Sequence, residues 1–430
     1  MSRQIHRNIY LISLVLAVGS LPLSRAVLSI ATIVLLLNWI VERNFRDKWN
    51  LLKKHPIAWL FAGFFLLHLF SGLYTDAPGM FQQDLVVKIP LLIVPLVIIS
   101  SPSLTVEESK YVFKAMILGG LLATLYCLII AFDENITHGF TLTRLWNCWW
   151  NWGCEDGNAF LNYRYFTYEN FSSALSLHPT YFALFLNLSC VFIVWIWRDE
   201  WKTYKRFSHI GWAILLVYFF GMILMLSSRM QIINFLIIGL GGLFVYGWKS
   251  RRIALSFSLI AVIGFLAGTI ILANPQNRAR FLDLFEDEPL EVEEVHHSGS
   301  EVRKYIWRTS FNLISESFWL GYGSGDIKDV LKTEYEEQGF DYGVENYMNA
   351  HNQFLETWLG TGVVGFLYVC LLFLIPAYGA IKSKNYLYLI FLGLFFLSCL
   401  TESFFNRQLG VNFYAFFNAI LIFSIPPKTT

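Results

Sequence analysis

Asn349-Ala350-His351-Asn352-Gln353-Phe354-Leu355-Glu356 is where a polar stretch turns into an apolar helix over residues 353–378. That run exceeds the roughly 20 residues a helix needs to cross a hydrocarbon layer of about 30 Å, so it predicts a transmembrane span. Runs of this kind recur along nearly the whole chain. Hydropathy places about twelve helices, near 8–24, 26–42, 57–74, 86–101, 111–132, 178–197, 209–227, 231–248, 253–273, 353–378, 385–403 and 411–426. The 430 residues are 56% hydrophobic, 17% aromatic and only 15% charged, which excludes an ordinary soluble globule. The expected fold is all-α and polytopic. A formal net charge of +1 argues against a nucleic-acid partner, and no repeat or low-complexity segment appears.

Orientation follows from Lys and Arg, which cytoplasmic loops retain. Arg43, Arg46, Lys48, Lys53 and Lys54 mark one loop, Arg198, Lys202, Lys205 and Arg206 a second, Lys249, Arg251 and Arg252 a third, and Lys382 and Lys384 a fourth. In a twelve-helix chain all four fall on one side. Met1 and Thr430 then face the cytoplasm, while 133–177 and 274–350 face outside. The expected organisation is helices one to nine over 1–273, a large outside loop over 274–350 with short helices of its own, and helices ten to twelve over 351–430. The first span follows Arg3, His6 and Arg7 like a signal peptide but lacks a small-residue cleavage site, and reads as a retained anchor.

Cys127, Cys190, Cys370 and Cys399 lie in apolar spans and read as packing residues. Cys148 and Cys154 share the first outside loop and are either free thiols or, in an oxidising compartment, a disulfide. No cysteine or histidine spacing suggests a metal site.

The 133–177 loop is rich in aromatics, among them Trp146, Trp149, Trp150, Trp152, Tyr163, Tyr165, Phe166 and Tyr168, with Arg144 and Arg164 between them. It suits an interfacial belt; flat rings beside Asn and Arg also suit a carbohydrate-facing surface. In the second outside loop the acidic run Glu286 to Glu294 reads as a solvated linker and His296-His297 as turn residues. Ser298-Gly-Ser-Glu301 has capping-box spacing and opens an amphipathic helix with Val302, Ile306, Trp307, Phe311, Leu313 and Ile314 on its apolar face. Arg303 and Trp307 are surface neighbours on it, so the helix can lie on the membrane with Arg303 toward an anionic headgroup. Gly321-Tyr-Gly-Ser-Gly325 reads as a cap and turn rather than a phosphate loop, and Asp326 as the N-cap of a second short helix running to Gly339.

Arg229 follows Ser227-Ser228 in a short hairpin between two apolar spans. A charge there either faces a cavity with a partner or snorkels to the edge. His351 opens its helix and Gly362 lies eleven residues on, about 20° from alignment, which puts it on the same face about 16 Å deeper. A glycine at that depth admits a lipid chain or another helix. The planar fork of arginine suits a diphosphate, and neutral histidine suits taking a proton from a hydroxyl near neutral pH.

The stretch from Arg303 through Trp307, Gly321-Tyr-Gly-Ser-Gly325 and His351-Asn-Gln-Phe-Leu-Glu356 to Gly362 resembles the O-antigen ligase and polymerase family, whose members carry a His-x10-Gly motif after a large periplasmic loop. Ser227-Ser228-Arg229 and Thr401-Glu402-Ser403-Phe404 with Arg407 also match, and His178-Pro179-Thr180-Tyr181 is a softer echo. The specific part covers roughly 225–415. The resemblance implies a metal-independent, cofactor-free, inverting glycosyltransferase of the bacterial inner membrane, with its site facing the periplasm. It would take a glycan from undecaprenyl diphosphate, with His351 as the base and Arg229 and Arg303 as diphosphate ligands. Arg164, Asn352, Glu356, Glu402 and Arg407 are candidates for supporting roles. The family's Arg-x3-Leu motif appears here as Arg229-x3-Ile233 or Arg303-x3-Trp307, which leaves open which arginine matches which family residue. Ligation to lipid A–core ranks first, polymerisation second and protein O-glycosylation third; membrane lipids are partners in every case. The reading from another class is a polytopic transporter or lipid flippase, with Lys88 and Lys114 as translocation residues or snorkelling ones.

Overall fold

The computed structural model describes residues 3–139, 163–201, 206–254 and 299–423, with scattered positions between 257 and 281. Cys148, Cys154, Arg144 and the tryptophans near them, most of the expected 253–273 span, the acidic run, His296-His297 and Ser298 lie outside the described residues, as does the side chain of Arg164. All regular structure among the described residues is helical. The α-helices are α1 Arg3–Ser20, α2 Arg25–Val41, α3 Phe45–Lys54, α4 Ile57–Ser71, α5 Pro78–Ile99, α6 Val106–Gly139, α7 Tyr168–Ser173, α8 Pro179–Asp199, α9 Arg206–Met225, α10 Arg229–Lys249, α11 Gly299–Glu316, α12 Ile327–Glu337, α13 Asp341–Glu345, α14 Gln353–Lys382, α15 Tyr386–Cys399 and α16 Gln408–Leu421.

Helices stand at eleven of the twelve expected positions, but fewer are long enough to span alone. Six described helices are long and apolar enough to cross a membrane, or up to seven if the bent pair α2 and α3 counts as one. The six include α5, α6, α8, α10 and α14 and residues Ser208–Met225 of α9. At 1.5 Å per residue, the 14 residues of α15 or α16 reach about 21 Å, short of the hydrocarbon thickness. For α16 the reason is its setting: every residue from Leu409 to Leu421 is buried, so it is a core helix, apolar all round because protein surrounds it. The basic stretch after α2, expected as a loop, is the helix α3.

The chain divides into two units. The first comprises Met1–Val18, Ser29–Tyr111 and Ala279–Thr430, the second Gly19–Leu28 and Val112–Arg278. In the first, α5 packs against α4 and α16, and α14 against α4, α11 and α15. Tyr414 of α16 donates to the Leu372 carbonyl at 2.6 Å inside a cluster of Phe391, Phe395, Phe405 and Phe413 rings. Tyr368 of α14 donates to the Leu60 carbonyl at 3.0 Å, crossing α4 where a Cβ at Gly63 would collide with its hydroxyl.

The glycine of the His-x10-Gly spacing has a different partner from the expected one. His351 precedes the helix, whose cap is Asn352, and α14 is interrupted at Gly362, with φ 65° and ψ −166°. Three hydrogen bonds tie the segment 318–323 to this break. The Tyr322 and Gly323 amides donate to the Leu359 and Gly360 carbonyls at 2.7 and 3.0 Å, and the Val363 amide donates to the Phe318 carbonyl at 3.0 Å. The neighbour that needs a glycine is therefore backbone of this same chain, rather than lipid or another helix. The amides of Tyr322 and Gly323 are committed to α14, which agrees with a structural turn and leaves no phosphate cradle there.

Asp326 stands at the N-cap position of α12 but caps nothing. Its carboxylate instead accepts from Thr75 Oγ1 at 2.7 Å and from the amides of Asp76 and Ala77 at 2.9 and 2.7 Å, pinning the α4–α5 turn. Asp326→Ala leaves those donors without their acceptor and is expected to cost about 2–4 kcal/mol, read as a lower midpoint of thermal unfolding in detergent.

The apolar face of α11 is also spent inside the protein. Val302, Tyr305, Ile306, Leu313 and Ile314 join Ile327, Leu331, Tyr335, Phe340, Ala350, Leu355 and Leu359 in one buried cluster, with Trp307 against it. Only Phe311, 55% exposed, faces out. The expectation that α11 lies on the bilayer by this face is corrected, because α12 and the start of α14 occupy it.

In the second unit α8 is buried over most of its length and packs against α9 and α10. Phe113 stacks on Phe192 at 4.1 Å, and Phe166 is buried against Phe132 at 4.9 Å, so this ring of the aromatic loop packs on protein rather than on lipid.

Candidate active site

The site in the first unit is a clasp between the turn 349–356 and the turn 400–407. Asn352 caps α14 by accepting from the Phe354 and Leu355 amides at 2.9 and 3.2 Å, and its own amide donates to the Leu400 carbonyl at 3.1 Å. Gln353, one residue on and fully buried, accepts the Phe405 amide at 2.6 Å. Glu356 is 2% exposed. It accepts the Ala350 amide at 2.8 Å and the Asn406 side-chain amide, with the Ser403 hydroxyl at 3.5 Å. A buried carboxylate is costly unless its lone pairs are filled, and these donors fill them from both turns.

His351 rides on this clasp. Its φ of 42° puts it in the left-handed region, uncommon for a residue with a side chain. Its amide donates to Asn349 Oδ1 at 2.9 Å, closing a tight side-chain turn. The imidazole Nδ1 lies 3.3 Å from Glu402 Oε2, and Nε2 lies 3.3 Å from Met348 Sδ. The ring is 22% exposed while the Glu402 side chain is 4% exposed, so the carboxylate sits behind the ring and the ring reaches the surface. With Nδ1–H donating to Glu402, Nε2 keeps the lone pair. That is the arrangement of a general base with an orienting carboxylate.

The other expected residues divide by unit. Arg303 is half-buried on α11, donating from Nη1 to the Gly299 carbonyl at 3.2 Å, and its neighbours Val302 and Ile306 share the apolar cluster with Ala350. Arg407 is exposed on the clasp turn at the N-cap position of α16, and its side chain caps no amide. Arg229 belongs to the second unit, where it is 8% exposed at the first turn of α10. Near it along the chain, Ser228 donates to Thr180, and the Asn187 amide reaches the carbonyl of Gln231 at 2.9 Å. Thr180 belongs to the softer family echo, so that echo contributes to the Arg229 hairpin.

Asn406 and Met348 were not anticipated, and Gln353 and Ser403 stood in the matching stretches without a role assigned to them. Buried amides beside an apolar helix start were the available signal, but their partners lie about 50 residues away. Lys88 is corrected: it does not snorkel. It is 2% exposed and paired with Asp84 one turn earlier on α5, a spacing visible in the sequence. It is also close enough to Glu356 and His68 to interact with both electrostatically. Lys114 is exposed. Like Tyr305, Tyr335 is a titratable group of the α11–α12 cluster. Burial and the nearby Glu356 push its hydroxyl up, which keeps it a neutral phenol and no rival base. Among the described residues no group of His, Cys, Asp and Glu is arranged to hold a metal ion.

Residues 213–370 match the O-antigen ligase family model. That stretch holds Arg229, Arg303, His351 and Gly362, and over it the chain is similar to the O-antigen ligase family. It is also similar to an uncharacterised protein of Haemophilus influenzae, 29% identical over 80 residues. Those residues are 19% of this chain and 20% of that relative's length.

Proposed function

We propose that the protein is a membrane glycosyltransferase that moves a glycan from a polyprenyl diphosphate to an acceptor hydroxyl on the periplasmic face of the inner membrane, ligating O-antigen to lipid A–core. The observation that carries this reading is His351, partly exposed on a strained turn, backed by buried Glu402 and lying inside the family match. His351 Nε2 takes the acceptor's proton, and the oxygen attacks the anomeric carbon opposite the diphosphate, so the configuration inverts. The C–O bond to the diphosphate breaks, and polyprenyl diphosphate leaves with the electron pair. Arg303 and, by the resemblance, Arg229 hold the charge growing on that leaving group, where preorganised donors act most strongly. Glu402 keeps the imidazole in one tautomer and stabilises its charged form. Undecaprenyl is the expected chain, and no metal or cofactor takes part.

Polymerisation onto another repeat unit is the alternative, since the same residues serve both acceptors. Cells lacking the protein accumulate long polyprenyl-linked chains if it is the ligase, and make single-repeat glycan if it is the polymerase. In lipid, the purified protein is expected to convert polyprenyl-diphosphate glycan and acceptor to product with EDTA present. Arg303→Ala and Arg229→Ala are each expected to lower kcat/KM by about 10²–10³, the loss typical of removing one charge-stabilising donor. Wild-type rates in both variants would place the diphosphate elsewhere, and the absence of any transfer would favour a transporter.

A further inference from the structure

At the corner between α2 and α3 the chain turns through 113°. Arg43 and Asn44, with φ of 62° and 42°, make the turn by two successive left-handed residues. Beyond it α3 is amphipathic: Phe45, Trp49 and Leu52 recur at helical spacing, while Arg46, Asp47, Asn50, Lys53 and Lys54 are exposed. A short helix of this kind, leaving a membrane helix at a steep angle, suits a position in the plane of the bilayer surface.

Inside the corner is a cavity of about 470 Å³ lined by Trp39, Phe45, Arg46, Lys48, Trp49 and Leu52. That volume lies in the range of small-molecule sites. Its walls are mostly ring and aliphatic carbon, and two cations border them. The cations differ in kind. Lys48 is 4% exposed and already engaged, 2.9 Å from Glu42 and over the Trp39 ring at 4.8 Å, so it is part of the wall and neutralises Glu42. Arg46 is exposed and makes no ion pair or hydrogen bond among the described residues. Phe45 and Trp49 remain 51% and 49% exposed, an open apolar edge beside that guanidinium.

An apolar cavity with a guanidinium at its rim, on a surface helix, fits an amphiphile whose head carries a phosphate. We infer that this corner binds one anionic phospholipid, with Arg46 on the phosphate and the Phe45, Trp49 and Trp39 rings against the first acyl segment. Guanidinium and phosphate match through paired charge-assisted hydrogen bonds. The positive charge of this segment marks the cytoplasmic side, where anionic headgroups gather at basic sites between membrane helices. The inference does not depend on glycosyl transfer.

The test titrates the full-length protein in detergent with phosphatidylglycerol, phosphatidylcholine or inorganic phosphate, reading lipids retained by native mass spectrometry and the shift in thermal unfolding. One phosphatidylglycerol is expected to be retained in preference to phosphatidylcholine. Arg46→Glu is expected to weaken its binding by about tenfold or more, while Lys54→Glu, the same change of charge outside the cavity, leaves it within about twofold. Trp49→Ala is expected to weaken both lipids. Equal retention of the two lipids overturns the inference. So does an equal loss in Arg46→Glu and Lys54→Glu, which would indicate diffuse attraction, or protection by inorganic phosphate matching that of the lipid, which would indicate a free-anion site.

Discussion

His351→Ala is expected to lower turnover by about 10²–10⁴, the range a positioned general base supplies, while donor binding and unfolding temperature change little. The prediction separates chemistry from folding because of how the clasp is built. Among the described residues the imidazole makes two polar contacts, each of 3.3 Å, to Glu402 and Met348. The turn beneath it is held by other side chains: Asn349 takes the His351 amide, Asn352 caps α14, and Glu356 takes the Ala350 amide. Alanine must still adopt the left-handed φ, at a cost of about 1–2 kcal/mol. Glu402→Gln provides the contrast. Its amide oxygen still accepts from Nδ1–H, so the tautomer survives and the charge is lost. The expected result is a fall of about tenfold in kcat with KM unchanged, as for a residue that positions and stabilises the base. Wild-type turnover in His351→Ala would end the assignment, and a loss of donor binding equal to the loss of rate would make the residue structural.

Gly362→Ala is expected to be strongly destabilising. The φ, ψ pair at 65°, −166° lies in a region essentially reserved for glycine, which costs another residue about 1–3 kcal/mol. A Cβ would also run into the Trp319 carbonyl and come within 2.6 Å of the Leu320 amide nitrogen. Those are backbone atoms, with no flexible end to swing aside. The segment 318–323 must then leave the break, and three hydrogen bonds of 2.7–3.0 Å go with it. A total of about 3–5 kcal/mol follows, read as a lower unfolding midpoint together with faster proteolysis at 318–325. Gly360→Ala is the internal control, because its Cβ would meet the tip of the Ile327 side chain at 2.7 Å, a group able to move. If the two alanines behave alike, the break is not what holds the loop.

Helix positions were legible because long apolar runs follow from the bilayer alone. Their lengths were not, because the ends are set in three dimensions: α15 starts at Tyr386 behind the Asn385 cap, as expected, but stops at Cys399, four residues short of the expected span. The reading that placed Gly362 on the face of His351 assumed one continuous helix. The spacing was informative, but its meaning required Trp319, 43 residues earlier. At the site, His351, Glu356 and Glu402 were visible through the resemblance. The roles of Gln353 and Asn406 were not, since a buried amide declares its partner only once the chain has folded. The α11 surface misled for a related reason: an amphipathic face specifies an apolar neighbour without saying whether that neighbour is lipid or protein.

The residues between Gly323 and Ala350 enter and leave α14 through fixed points, one bonded to Gly360 and the other to Glu356. The closure entropy of a chain anchored at both ends grows only slowly with length, by about 0.6 kcal/mol for each doubling. The exposed positions of this strap, rather than Asp326 or the buried Ile327, Leu331, Tyr335 and Phe340, are therefore the inexpensive places for insertion, deletion and divergence. Its outer surface is free to vary while the imidazole keeps its place on the clasp.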